Sequence, residues 1–422
     1  MSAITLPAPL KPAMAWFLHG KGSGPFRIIC FTALAMHIMK YAERSASDPA
    51  LWVTLIAALF MIRRAPLVWR STAGLLGIGV LVWALVSIVL SVEPALSGRD
   101  FVKQLDILAA AFAIPIVLNT RSRVEKALLI ASLAWTIVLG YHLIEMHREL
   151  GTDLVQKAHD YRPAAMVHAN IESMIAGLAV FALAHGAWVR RARIPIGILL
   201  SAASLFNLFY IYVIASRGPQ IAFAATFVLS GFVMLHGWRL KTAWAVIILA
   251  CGLAIATNLE KINERFSDIG SLDSLNGRDV VWAHTWELSK ARAWLGHGYG
   301  KRVFVETYHH SDPPRSPFDF QHPHQYWLYV FFSQGAIGVM LHIAFWIALL
   351  SRVLRAFRES TREEDRLLIG LLGLLLVYIQ TYSLADWPGS VLWVILLWLV
   401  SLTMSATRPN DTRPEPHGES AM

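Results

Sequence analysis

Three observations predict an all-α, polytopic membrane fold. Of the 422 residues, 56% are hydrophobic and only 15% charged, where soluble domains carry about 25% charge. Apolar stretches suited to a hydrocarbon layer ~30 Å thick recur along most of the chain. Basic residues flank them in alternate connections. The 37 Lys and Arg exceed the 28 Asp and Glu, for a net charge of +9, a balance that suits nucleic acid or an anionic membrane surface. The position of those charges selects the membrane.

In chain order the apolar stretches are 26–42, 49–62, 73–92, 104–118, 124–144, 171–189, 194–215, 218–237, 242–257, 325–350, 367–385 and 389–405, about 12 transmembrane helices. The second and fourth are short for a full crossing. With the N-terminus inside, the inner connections carry Arg63, Arg64 and Arg70, then Arg121, Arg123 and Lys126, then Arg190, Arg191 and Arg193, then Arg239 and Lys241. Arg352, Arg355, Arg358, Arg362 and Arg366 follow, and Arg408 and Arg413 lie in the tail. The outer connections near 43–48, 215–218 and 385–388 are short and sparsely charged, so the positive-inside bias sets the orientation. The expected organisation is a cytoplasmic tail 1–25, transmembrane helices 1–9 over 26–257 with an outer loop at 145–170, and a large outer loop 258–323 containing short helices. Transmembrane helices 10–12 over 324–405 and a cytoplasmic tail 406–422 complete it. No cleavable signal peptide is expected, because residues 1–24 are interrupted by Pro and Gly. Cys30 and Cys251 both fall in apolar segments, which offers no disulfide framework.

The two outer loops concentrate the polar and ionisable residues, and long loops in a compact protein are commonly functional. Residues 214–220, Ile-Ala-Ser-Arg-Gly-Pro-Gln, break an apolar run. Ser216 suits the cap of the next helix and Pro219 its first turn. Arg217 then stands at an outward-facing helix N-terminus, where N–H groups and the dipole favour an anion; an arginine snorkelling to the interface fits the spacing equally. In the large loop, Asn276-Gly277 makes a turn and Arg278 opens a helix-like segment to Arg292, with Val281, Trp282, Trp286 and Leu288 forming a stripe. Arg278 can bind phosphate oxygens bidentately or pair with Asp279 or Glu287.

Residues 294–300, Trp-Leu-Gly-His-Gly-Tyr-Gly, lack the strand and the Lys-Ser/Thr of a phosphate-binding loop and read as a tight turn. At Gln321-His322-Pro323-His324-Gln325, Pro323 is expected to start the 325–350 helix and to leave His324 at the membrane's outer edge. An imidazole titrating near neutrality suits proton removal from a sugar hydroxyl. A metal site using His322, His324, His309, His310 or Asp319 is the alternative, without a strong ligand-spacing signature.

Three motifs together, Ser216-Arg217-Gly218, Arg278-x-x-x-Trp282 with Leu295-Gly296-x-Gly298, and His322-x-His324 with Gln334-Gly335-x-x-Gly338, resemble the O-antigen ligase and polymerase superfamily, leaning towards the O-antigen ligases of lipopolysaccharide assembly. The motifs cover roughly 160–345 and the architecture covers the whole chain. This resemblance implies that Arg217 and Arg278 hold the diphosphate of an undecaprenyl-linked glycan and that His324 supports glycosyl transfer. Where the family's histidine is often followed by Asn, Gln325 stands here, and Gln334 replaces a common acidic residue. Both keep hydrogen bonding and leave open which of His322 and His324 is the base. Arg162, His168 and Asn170 resemble, more loosely, a polar segment that contacts the donor; loop capping is the other reading for them.

The expected activity is thus that of an inner-membrane glycosyltransferase with its site facing the periplasm and both termini cytoplasmic. It would carry O-polysaccharide from undecaprenyl diphosphate, the donor, to a lipid A–core sugar, the acceptor, with inversion at the anomeric carbon. Catalytic roles fall on His324, Arg217 and Arg278, and substrate contacts on both arginines with Arg162, His168, Asn170, His322 and Gln325. No Asp-x-Asp motif occurs, so a metal-independent reaction is expected. The activated diphosphate removes any need for a cofactor such as ATP, and membrane insertion accounts for the basic charge, so no nucleic-acid partner is expected. O-antigen polymerisation or glycan transfer to protein shares these motifs. A transporter would bury charges mid-membrane, whereas here ionisable residues sit at span ends and in outer loops, with Asp106 and Glu172 near predicted ends.

Overall fold

The structure, a computed structural model, describes residues 69–102, 104, 107–108, 111, 114–115, 118–151, 154, 169–214, 216–235, 237–257, 278–313, 320–385 and 390–408. Among the described residues there are helices and no strands. The expected spans at 26–42 and 49–62, and Arg162, His168, Cys30, Asp106 and Asp319, lie outside them.

The long helices are α1 (Thr72–Val89), α3 (Arg121–Leu150), α4 (Ala169–Val189), α5 (Ile194–Ile214), α6 (Arg217–Met234), α7 (Trp238–Thr257), α10 (Tyr326–Glu359), α11 (Glu363–Ala385) and α12 (Ser390–Ala406). Shorter α2 (Pro94–Val102) follows α1, and α8 (Arg278–Ala291) and α9 (Lys301–His310) lie between α7 and α10 in the chain. Six of the described helices are long and apolar enough to cross a membrane: α1, α3, α4, α5, α10 and α11. Such helices satisfy their own backbone hydrogen bonds, as hydrocarbon requires.

Two expected boundaries are corrected. The 124–144 span continues as helix to Leu150, with the 145–150 stretch still carrying amphipathic packing through the buried Met146. The 325–350 span continues to Glu359, because its last turns bury Val353 and Ala356 against the bundle.

α4 and α11 are the most enclosed of the six and form the centre, where Met174, Phe181, Leu372, Ile379 and Tyr382 share one core with α10 and α12. α1, α3 and α5 pack around it and expose apolar side chains such as Leu75, Ile137 and Leu205, as lipid-facing positions do.

At one end of the bundle the guanidinium of Arg121 pairs with Asp365 at 2.7 Å and donates through Nε to the Ala406 carbonyl at 2.9 Å. Arg352 Nε donates to Thr407 Oγ1 at 2.7 Å, and Arg190 pairs with Glu125 at 2.6 Å. Arginines from separate basic connections therefore meet at a common end. The helices that finish there, α4 and α10, begin at the other end, with Asn170 and the His322-Pro323-His324 turn.

Candidate functional site

The site end is organised by a break in α10. Gly335 has φ +66° and ψ −169° inside the helix, a conformation that costs glycine little and other residues much. The break frees backbone groups that hydrocarbon would not tolerate unpaired, and the 293–298 turn takes them up. Ala336 N donates to the Ala293 carbonyl at 2.7 Å, His297 N to Phe332 at 2.8 Å and Gly298 N to Ser333 at 3.0 Å. Trp83 of α1 donates through Nε1 to the Gln334 carbonyl at 2.9 Å.

The glycine-rich run is thus a tight turn, as its sequence suggested, and also the partner of Gly335. Gly296 (φ +76°) and Gly298 (φ +122°) adopt backbone angles that suit glycine. A Cβ on Gly296 would meet the Ser333–Gln334 backbone, and one on Gly335 would overlap the Trp294 carbonyl. On the other side the turn rests on the α1–α2 corner. Ser91 Oγ and Val92 N both donate to the His297 carbonyl, at 3.1 and 2.9 Å, and Arg302 N donates to Asp100 Oδ2 at 2.8 Å.

His297 is buried, with its ring stacked on Phe332 at 4.6 Å and Nε2 donating to the Leu288 carbonyl at 2.9 Å. Burial lowers its pKa from the ordinary imidazole value, since the charged form is desolvated there.

α8 is the helix anticipated at 278–292, and its stripe packs as expected. Val281 is fully buried, and Trp282 and Leu288 pack against the core. Trp286 stays half exposed, 5.2 Å from Phe331. Arg278 is its first residue, partly buried, where the helix dipole favours an anion. One turn on, Trp282 donates through Nε1 to the Pro323 carbonyl at 2.7 Å. Residues four apart share a helix face, so Arg278 stands on the face that carries the His322-Pro323-His324 turn.

That turn corrects the expected helix start. Pro323 does not open α10; Gln325 is its N-cap, the side-chain carbonyl accepting from Leu328 N, and Tyr326 is the first helical residue. His324 precedes the cap with φ +51°, a left-handed angle that His adopts more readily than most residues. The two histidine rings lie 4.0 Å apart, and Phe320 meets His324 edge-on at 6.0 Å. His324 N donates to His322 Nδ1 at 3.3 Å, which leaves the ring hydrogen of neutral His322 on Nε2. Among the described residues no three His, Cys, Asp or Glu side chains converge as metal ligands.

The break before α6 is placed as anticipated, with a different capping pattern. Ser216 occupies the N-cap position of α6 but makes no capping bond to it. Its hydroxyl donates to Asn170 Oδ1 at 2.5 Å. Arg217 is the first residue of α6. Asn170 thus joins the first turn of α4 to the segment carrying Arg217, a contact that the sequence reading of Asn170 as a loop or substrate residue did not contain. Glu172, expected near a span end, is fully buried and bonded to His142 Nδ1 at 3.1 Å and to the Tyr210 hydroxyl at 2.5 Å. A carboxylate in an apolar span was the available signal.

Fold and site together define a helical integral membrane protein that gathers histidine, arginine and amide groups at one end of its bundle. Residues 202–343 match the family model described as O-antigen ligase. The segment runs from α5 to beyond the Gly335 break and contains Arg217, Arg278, His322, His324 and Gln325. Comparison with curated proteins returns no match.

Proposed function

We propose that this protein is an O-antigen ligase. It would transfer O-polysaccharide from undecaprenyl diphosphate to a lipid A–core sugar hydroxyl on the periplasmic face of the bacterial inner membrane. The observation that carries the reading is the Trp282–Pro323 bond, which sets an arginine at a helix N-terminus and a histidine pair on one face, within the segment that matches the family. The gathering of arginines at the opposite end supports cytoplasmic termini and a periplasmic loop 258–323, in an arrangement of about 12 spans.

Arg278 and Arg217 clamp the donor's diphosphate. Fixed cations stabilise the charge that grows on it as the glycosidic bond breaks, the electrostatic effect that usually contributes most to such catalysis. His324 takes the proton from the acceptor hydroxyl, which attacks the anomeric carbon from the side opposite the leaving diphosphate and inverts it. The bond to His322 Nδ1 occupies that ring's lone pair, which favours His324 as the base. Asn170 and Gln325 support the site through the bonds described, and Arg162 and His168 are assigned to donor contact. The activated diphosphate supplies the energy, so the reaction needs no cofactor such as ATP. With no Asp-x-Asp motif in the chain, the two arginines take the charge-stabilising role that a metal would otherwise fill.

Deletion of the gene followed by gel analysis of lipopolysaccharide tests this. A ligase predicts loss of the O-antigen ladder, an intact core and accumulation of lipid-linked polymer. A core bearing a single repeat would instead identify a polymerase, and an unchanged ladder would direct attention to a protein acceptor.

A further inference from the structure

Glu172 is fully buried in α4, and its Oε2 accepts from two other helices, from Tyr210 OH of α5 at 2.5 Å and from His142 Nδ1 of α3 at 3.1 Å. His142 and Tyr210 are themselves buried. An ionisable group placed in a span is costly and persists where partners and a role hold it.

Glu172 and Tyr210 each lie within about one turn, along their own helices, of a residue bonded to the segment around the α5–α6 break. Tyr210 lies one turn before the end of α5 at Ile214, and α6 begins at Arg217. Across that break Gln220 Nε2 donates to the Ile211 carbonyl at 3.2 Å. Two residues before Glu172, in the same turn of α4, Asn170 accepts from Ser216, the neighbour of Arg217. The α5–α6 break is therefore fixed from upstream by Tyr210, from downstream by Gln220 and from the side by Asn170, and the first and last of these act through one turn of α4.

We propose that Glu172 is a positioning residue for Arg217. By holding Tyr210 and His142 it sets α4 and α5 in register, so that Asn170 can hold Ser216 and the break presents Arg217 to the donor's diphosphate. This rests on the reading of Arg217 as a donor ligand. Glu172 touches no substrate; its contribution is the placement of the cation. A misplacement on the order of 1 Å at such a site can lower the rate by about a hundredfold.

The test is a double-mutant cycle on the purified full-length protein in detergent, with an undecaprenyl-diphosphate glycan as donor and lipid A–core as acceptor. Tyr210→Phe removes one bond to Glu172 at nearly constant volume. It is expected to raise the KM for donor about tenfold with the KM for acceptor unchanged, whereas a destabilised bundle would lower only the active fraction and leave both KM values alone. In an Arg217→Lys background the same change should cost less than about twofold, because the two sites act as one unit. Glu172→Gln, which keeps an acceptor oxygen, should retain most of the donor affinity that Glu172→Ala loses. Additive effects of Tyr210→Phe and Arg217→Lys, or an unchanged donor KM in Tyr210→Phe, would overturn the proposal. Should Arg217→Lys and Arg217→Ala alone leave donor use at the wild-type level, the donor-ligand reading fails first and the positioning role falls with it.

Discussion

Trp282 and Pro323, 41 residues apart, are joined by an indole N–H donating to a backbone carbonyl at 2.7 Å. The helix that begins at Arg278 and the turn that holds His322 and His324 are fixed relative to each other by that bond.

Trp282→Phe keeps the aromatic packing and removes the donor. The expected loss of stability is about 1 kcal/mol, the usual net value of one hydrogen bond, read as a small fall in thermal midpoint in detergent. The transfer rate should drop by more than this stability change implies, since the histidine turn loses its anchor to α8. Arg278→Lys, in comparison, should leave the midpoint unchanged and impair donor use, because the bidentate fork is lost.

His324→Ala should abolish transfer and leave donor binding in place, measured by retention of a labelled lipid-linked glycan on the purified protein. His322→Ala should reduce transfer without abolishing it, by removing the acceptor of the His324 backbone N–H. The reverse order of severity would assign the base to His322.

The glycines separate by position. Gly335→Ala places a Cβ on the Trp294 carbonyl in a left-handed conformation, so the folded yield should fall sharply and the 278–310 segment should become accessible to limited proteolysis. At Gly79, within α1, nothing lies within 4 Å of an added Cβ. Gly79→Ala should be neutral or stabilising by up to about 1 kcal/mol, from helix propensity.

His297 makes stability depend on pH. Its folded pKa lies below the unfolded value of about 6.5 because the ring is buried. The native state therefore resists protonation, and the stability that rests on the neutral ring is complete above about pH 6.5 and declines as the pH falls below it. Thermal midpoints should fall as the pH is lowered below about 6.5. His297→Gln should flatten that dependence while lowering the midpoint at the upper pH.

Transfer by the purified protein should persist in EDTA. Loss of activity that returns on adding a divalent ion would replace the two-arginine clamp with a metal-assisted reaction.

The helices α1, α3 to α7 and α10 to α12 were legible because apolar length and alternating basic connections are local signals, and α8 was legible from the spacing of Val281, Trp282 and Leu288. The helix ends read less well. Gln325 rather than Pro323 caps the start of α10, since a side-chain cap depends on the rotamer of one residue and not on composition. Residues 294–300 were recognisable as a turn, but their pairing with Gly335 was not, because the hydrogen bonds of a broken helix can be met from anywhere in the chain. The same applies to Ser216, whose hydroxyl was free by sequence to cap α6 and instead meets Asn170, 46 residues away. Glu172 near the start of a span was visible, while its partners His142 and Tyr210 come from two other helices and leave no periodic trace.

The contacts of Arg121 bear on the order in which the protein assembles in the cell. This residue opens α3, yet its carboxylate partner Asp365 lies 244 residues further on and its carbonyl partner Ala406 lies 285 further on. Synthesis proceeds from the N-terminus, so during most of translation that guanidinium has neither partner. The pair of contacts is complete only once α12 has been synthesised, and a chain cut short before α12 would lack the Ala406 carbonyl at this end.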